Sequence, residues 1–274
     1  MKTIIVATDF SPAAAHAASY AASLALSLHG ELYLLHAYEP PPSYGEINLP
    51  VDLGRWQEDA EVALKQLQRQ LEEETSGKLI IRGQVHMGGY FSTLQTLCDE
   101  QKPYAVVIGC TGKTAAERIL FGSNAVYTLK HLDWPVIAVP KEIRFGGIQK
   151  IGLACDLELV TETVPFPEIA VLLKDFQATL HILNIGSKTT YDPDVKTAAQ
   201  IMDAKLQPAQ VHFHFLSHDD VDTGILDFSE RLHIDLLIVL PKRKSFINAL
   251  LHKSHTRQFV LHSHVPVMAL HVHH

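Results

Sequence analysis

Cysteine is scarce in this chain of 274 residues, which has only Cys98, Cys110 and Cys155. No two of them stand at CxxC spacing, which excludes a zinc ribbon and a disulfide framework and suits a reducing compartment. Long apolar runs are missing too. No stretch reaches the ~20 apolar residues that a membrane span needs, and the opening run of Ile4 to Ala7 stops at Asp9, too short for the apolar region of a signal peptide. A cytoplasmic protein with no membrane partner is expected. Positive charge is in deficit, with 23 Lys and Arg against 30 Asp and Glu and a formal net charge of −7. Non-specific nucleic-acid affinity comes from cations that neutralise phosphates, so no nucleic-acid partner is expected. The marks of rapid catalysis are also absent: no paired carboxylates, and no nucleophile beside a base.

What the chain does have is apolar content, 47% of its residues, enough for a large core or two ordinary ones. It also repeats itself. Ile4-Ile5-Val6-Ala7-Thr8-Asp9 corresponds to Ile151-Gly152-Leu153-Ala154-Cys155-Asp156, and Glu31-Leu32-Tyr33-Leu34-Leu35-His36-Ala37 to Thr179-Leu180-His181-Ile182-Leu183-Asn184-Ile185. Ala105-Val106-Val107-Ile108 matches Leu236-Leu237-Ile238-Val239, and Trp134-Pro135-Val136-Ile137-Ala138-Val139 matches Val265-Pro266-Val267-Met268-Ala269-Leu270, both at one constant offset. Four blocks in one order are a duplication.

Each copy reads as five strands alternating with four helices. The strands are continuous apolar runs, as parallel strands covered on both faces require. Pro12 to Leu28 is Ala-rich, with Ser11 placed to cap it and Gly30 beyond its end. Leu53 to Glu74 has a long amphipathic period. The proline-rich stretch Glu39 to Pro50 reads as a loop, and Phe145-Gly146-Gly147 as a linker between domains 1–144 and 148–274. The fold class is α/β, with two tandem doubly wound parallel five-stranded sheets.

After the fourth strand comes Gly109-Cys110-Thr111-Gly112, then nine residues, then Gly122-Ser123. In an open α/β sheet ligands bind beyond the carboxyl ends of the strands. Glycines there let main-chain N–H groups approach phosphate oxygens, and a helix N-terminus adds free donors. The alternative is that these glycines serve tight turns. Gly112-Lys113-Thr114 resembles the end of a P-loop, but the first glycine of that motif would fall at Val107, inside a strand, so it is not one.

The pattern G-x2-G-x9-G-[Ser/Thr] at Gly109, Gly112, Gly122 and Ser123 resembles the ATP-binding signature of the universal stress protein family. The opening Val-Ala-Thr-Asp-Phe-Ser and the later Trp-Pro-Val-Ile-Ala-Val resemble that family's first and last strands. The resemblance covers the whole chain as two family domains. It implies a Rossmann-like, adenine nucleotide alpha hydrolase-like fold and an adenine nucleotide (ATP, ADP or AMP, with or without Mg²⁺) at the sheet's carboxyl edge. It places Asp9 near the nucleoside and Ala37 by the adenine, with Gly109, Gly112, Gly122, Ser123 and Asn124 on the phosphates. Thr8 and Ile108 complete the set. No residue is assigned a catalytic role. The implied function is a stress-response regulator with little or slow ATP hydrolysis. A scaffold that binds no nucleotide and an ATP-using enzyme of related fold are the alternatives. The latter would need an SGGxDS-type loop where this chain reads Asp9-Phe10-Ser11-Pro12. The resemblance also implies that the domains pair through Val136–Val139 and Val267–Leu270, and leaves a homodimer of whole chains open.

In the second copy Gly109, Gly112 and Gly122 become Leu240, Arg243 and Lys253, and only the serine survives, as Ser254. The nucleotide site is therefore expected in the first copy alone. The basic run Lys242-Arg243-Lys244, with Lys253 and Arg257, reads as a solvated loop, with an anion site as the alternative. There are 17 histidines, with groups at His212/His214, His252/His255, His262/His264 and His271/His273/His274. His262 and His264 could share a strand face and ligate a metal, but spacing supplies no further ligands, and no metal is expected.

Overall fold

The computed structural model describes residues 1–39, 53–110, 122–185, 192–218, 220–241 and 263–272. The loop expected up to Pro50, Gly112, Lys113, the basic run at 242–244, Lys253, Ser254, Arg257, His252, His255, His262, His273 and His274 lie outside them. The chain divides into two compact units, residues 1–109 and 110–274.

The first unit holds β1 (Thr3–Ala7), α1 (Pro12–Ser27), β2 (Glu31–Tyr38), α2 (Leu53–Glu74), β3 (Ile80–Met87), α3 (Tyr90–Gln101) and the body of β4 (Ala105–Cys110). The strands are parallel, in the order β3-β2-β1-β4. The chain steps from β1 outward through β2 to β3 and returns on the other side at β4. Strand order therefore reverses between β1 and β4, and ligands of such sheets bind at that point. Helix α1 starts as its sequence indicates: the Ser11 hydroxyl accepts from the Ala14 amide at 3.2 Å, with Pro12 at the first helical position. Its buried face is mostly alanine, including Ala17, Ala18, Ala21 and Ala25 at 0% exposure to Ala22 at 1%. Short side chains let the helix axis lie close to the sheet.

The second unit holds α4 (Gly122–His131), β5 (Val136–Pro140), β6 (Lys150–Ala154), α5 (Val160–Thr163), α6 (Phe166–Phe176), β7 (Thr179–Ile185), α7 (Pro193–Leu206), β8 (Val211–Leu216), α8 (Val221–Leu232), β9 (Leu236–Val239) and β10 (Val267–Ala269). The order is β5-β10-β9-β6-β7-β8, parallel throughout except that β5 runs antiparallel to β10. Val267 faces Ala138, Met268 faces Ile137 and Ala269 faces Val136. These residues are no more than 2% exposed.

The duplication holds at the level of register. Ile4, Ile5 and Val6 face Ala105, Val106 and Val107, and their counterparts Ile151, Gly152 and Leu153 face Leu236, Leu237 and Ile238. One departure from the expected element order occurs. The single helix that follows β1 is matched after β6 by two pieces, α5 and α6, separated by Val164 and Pro165. Proline has no N–H for the helical ladder, so the helix restarts there.

Candidate functional site

The site residues expected in the first unit come together at the carboxyl ends of β2, β1 and β4. A turn with the backbone of Phe10 in the left-handed region (φ 61°) follows β1. Its side chains hold it: the Thr8 hydroxyl accepts from the Phe10 amide and the Asp9 carboxylate from the Ser11 amide, both at 3.0 Å. Asp9 is exposed and Thr8 buried. The Thr8 amide donates to the Leu35 carbonyl at 2.9 Å, which ties the turn to the end of β2.

The second copy repeats this turn. Leu157 has φ 59°, its amide lies 3.4 Å from the Cys155 sulfur, and the Asp156 carboxylate accepts from the Glu158 amide at 3.0 Å. What differs is the next step. In the first unit α1 begins directly and runs past the end of β4. A Cβ on Gly109 would stand 2.5 Å from the Ala13 carbonyl oxygen and 3.0 Å from the Ala14 nitrogen. Glycine at 109 thus lets the first turn of α1 close on the strand end. In the second copy that position is Leu240, half-buried, and the helix after the turn is the broken one.

Ala37, the last residue but one of β2, is half-buried between His36 and Tyr38. Alternation turns it to the opposite face from those two rings. His36 and Tyr38, with Trp56, Asp59 and Ala60 from the start of α2, line an open groove of about 320 Å³. The His36 ring is 4.4 Å from the Phe10 ring and 6.3 Å from the Tyr38 ring, the latter nearly parallel at 12°. Trp56 is 43% exposed, an unusual amount for an indole beside a groove. His36 Nδ1 lies 2.8 Å from the Thr8 carbonyl. A carbonyl can only accept, so Nδ1 carries a hydrogen, and in the neutral ring Nε2 is left as an acceptor.

Ile108 is 3% exposed on β4. Cys110 follows Gly109, and burial pushes its thiol up to about 12, so it offers no thiolate to the site. Gly122, Ser123 and Asn124 open α4 in the second unit. Asn124 is exposed, and its carbonyl accepts from the Thr128 hydroxyl at 2.7 Å. Reading the residues alone missed Phe10, His36, Tyr38, Trp56 and Asp59. The available signal was the pair of rings two apart at the end of a buried strand.

Among the described residues no group of His, Cys, Asp or Glu is arranged to hold a metal ion, and no helix is long and apolar enough to cross a membrane. His264 instead lies 3.5 Å from Glu230, and the His271 ring is buried 3.1 Å from the Leu129 carbonyl.

Comparison with known proteins agrees with this architecture. A universal stress protein of Archaeoglobus fulgidus superposes over 98% of both chains with a TM-score of 0.73 at 14% identity, a likeness of fold. A Pseudomonas aeruginosa structure described as a putative universal stress protein covers 99% of this chain and 93% of its own, with a TM-score of 0.62 at 13% identity. In sequence, Universal stress protein MJ0531 of Methanocaldococcus jannaschii is 30% identical over 147 residues, 51% of this chain and 82% of that protein. The model of the Universal stress protein family matches twice, over residues 1–140 and 148–271. The chain belongs to the Universal stress protein family.

Proposed function

We propose that this protein binds one adenine nucleotide per chain, at the carboxyl edge of its first repeat, and acts as a stress-response regulator with slow turnover or none. The observation that carries the reading is the gathering of groups at the carboxyl ends of β2, β1 and β4. There the Thr8–Ser11 turn, the N-terminus of α1 closed against Gly109, and the rings of Phe10, His36 and Tyr38 share one sheet edge.

These residues suit the two ends of a nucleotide. A planar base finds aromatic surface and the His36 ring acceptor in the groove, while Ala37, turned to the opposite face, and Ile108, buried in β4, do not line it. By the family signature, phosphates would be held by Gly112, Gly122, Ser123 and Asn124, the last three at the N-terminus of α4. Mg²⁺, where it accompanies the nucleotide, would neutralise phosphate charge. Thr8 and Asp9 shape the turn through side-chain bonds and fix where the nucleoside would lie.

Titration of the full chain with ATP and Mg²⁺ tests this, with a stoichiometry near one expected. A value near two would mean that the second repeat retains a site despite Leu240. Gly122→Val should weaken binding by several kcal/mol, on the order expected for charge-assisted phosphate bonds, with no loss of fold. The scaffold reading draws on Gly109, whose missing side chain the packing of Ala13 explains by itself. Absence of binding to well-folded protein would leave that reading standing.

A further inference from the structure

Three histidines meet on the sheet face shared by β7 and β8. His181 faces His212 in the parallel register, and His214 lies two residues further along β8, so alternation sets all three on one face. The His181 ring is 5.2 Å from that of His212 and 5.3 Å from that of His214. His181 Nδ1 and His214 Nε2 are 3.1 Å apart. Two ring nitrogens at that separation are bonded only when one carries a hydrogen and the other a lone pair. Two imidazolium rings would point hydrogen at hydrogen.

The surroundings offer no relief for added positive charge. Lys150 on β6 acts on His181, and Arg231 on α8 acts on His214, whose ring also lies 5.1 Å from Phe228 on α8. Helix α7 packs against β8 as well, and among the described residues the charged side chains that act on the two rings, Lys150 and Arg231, are both cations. Strand β8 ends the sheet and is paired on one side, with β7.

The first repeat shows what these positions hold when protons are irrelevant. Tyr33 corresponds to His181, and Arg82 and Gln84 on β3 stand where His212 and His214 stand on β8. The Tyr33 hydroxyl donates to Gln84 Oε1 at 3.1 Å, a cross-strand bond that needs no titrating partner near neutral pH.

We propose that His181, His212 and His214 form a proton-operated latch that holds edge strand β8 while at most one ring is charged and releases it on acidification. Burial first, then the neighbouring rings and Lys150, lower the pKa of His181 from the ordinary 6.5, and burial, His212 and Arg231 lower that of His214. The unfolded strand then binds these protons more readily than the folded one. The latch is at full strength above the ordinary value and weakens as pH falls from there through the lowered values.

The test is hydrogen exchange of β8 in the full chain at about pH 7.5 and about pH 5.5, corrected for intrinsic exchange, with β3 as internal reference. Each linked proton should lower β8 protection about tenfold per pH unit across the window. The double variant His181→Tyr with His214→Gln copies the first repeat's pair and should abolish that excess loss. Equal pH sensitivity in parent and variant would overturn the latch. Should the double variant fail to fold, histidine ring titration by NMR in the unmodified chain decides. Midpoints below 6.5 for His181 and His214 support the latch, and midpoints at or above it refute it.

Discussion

A methyl group added at Gly109 has nowhere to go, because the Ala13 carbonyl already occupies the space. Backbone cannot swing aside as a flexible side chain would, so Gly109→Ala is expected to lower stability by about 1–3 kcal/mol and to weaken nucleotide binding by shifting the first turn of α1. Thermal melts and a parallel ATP titration check both, and an unchanged melting temperature would show that the close approach is not a constraint. Spacing in the chain marked Gly109 as a phosphate glycine. It could not reveal Ala13 as the neighbour, since that contact joins residues almost a hundred positions apart. Asp9 was legible as a residue at the strand end, but its bond to the Ser11 amide was not. The groove rings were hidden for a different reason: His36 and Tyr38 continue an apolar run and read as strand until alternation is checked against burial. The cysteines give a separate test. Cys98 and Cys110 are buried with thiols pushed up to about 12, Cys98 by burial and then by Asp99. Cys155 is half-buried where the other two are buried. Iodoacetamide at mildly alkaline pH should therefore label Cys155 first in the folded chain, as peptide mass spectrometry would show. Prior labelling of Cys110 would contradict the burial of its strand.

At the scale of elements, local signals sufficed where capping and period agree. Helix α1 begins at Pro12 behind its Ser11 cap, and α2 spans Leu53–Glu74, both as the residues indicate. Ser11→Ala should destabilise by about 1 kcal/mol, the usual loss for a helix N-cap, measurable by denaturant unfolding. The break between α5 and α6 was less legible. Pro165 and the β-branched residues before it were in view, but the left-handed backbone at Leu159 that precedes α5 leaves no mark in composition. The pairing of β5 with β10 was implied by the family resemblance, and its physical reason is that an uncovered apolar strand leaves an edge to be paired. Met268 is 1% exposed opposite Ile137. Met268→Asp would bury a carboxylate with no partner and should destabilise the second unit by several kcal/mol. Near-normal stability in that variant would place β10 outside the cooperative core.

At the scale of the molecule, residues 1–144 expressed alone would carry β5 without β10. That fragment should melt lower than the full chain or self-associate through Val136–Val139, and sedimentation at several concentrations would distinguish the two. A stable monomer with an unchanged melting temperature would mean that β5 needs no cover. Length, apolar fraction and duplication made the two-repeat α/β plan legible before any coordinates, because buried parallel strands advertise themselves as uninterrupted apolar blocks. The difference between the repeats was legible only as lost glycines, whereas the structure adds that the turn after the first strand survives in both. The β5–β10 ladder has one further consequence. Strands tethered in one polypeptide meet at an effective concentration set by the chain between them, so dilution cannot part them as it parts separate subunits. A pair made of two identical subunits must also carry every substitution twice, once on each side. Here each side has its own stretch of gene, so Leu240 can stand in one half while Gly109 stays in the other. Duplication within one chain thus lets matching positions of the two halves differ in sequence.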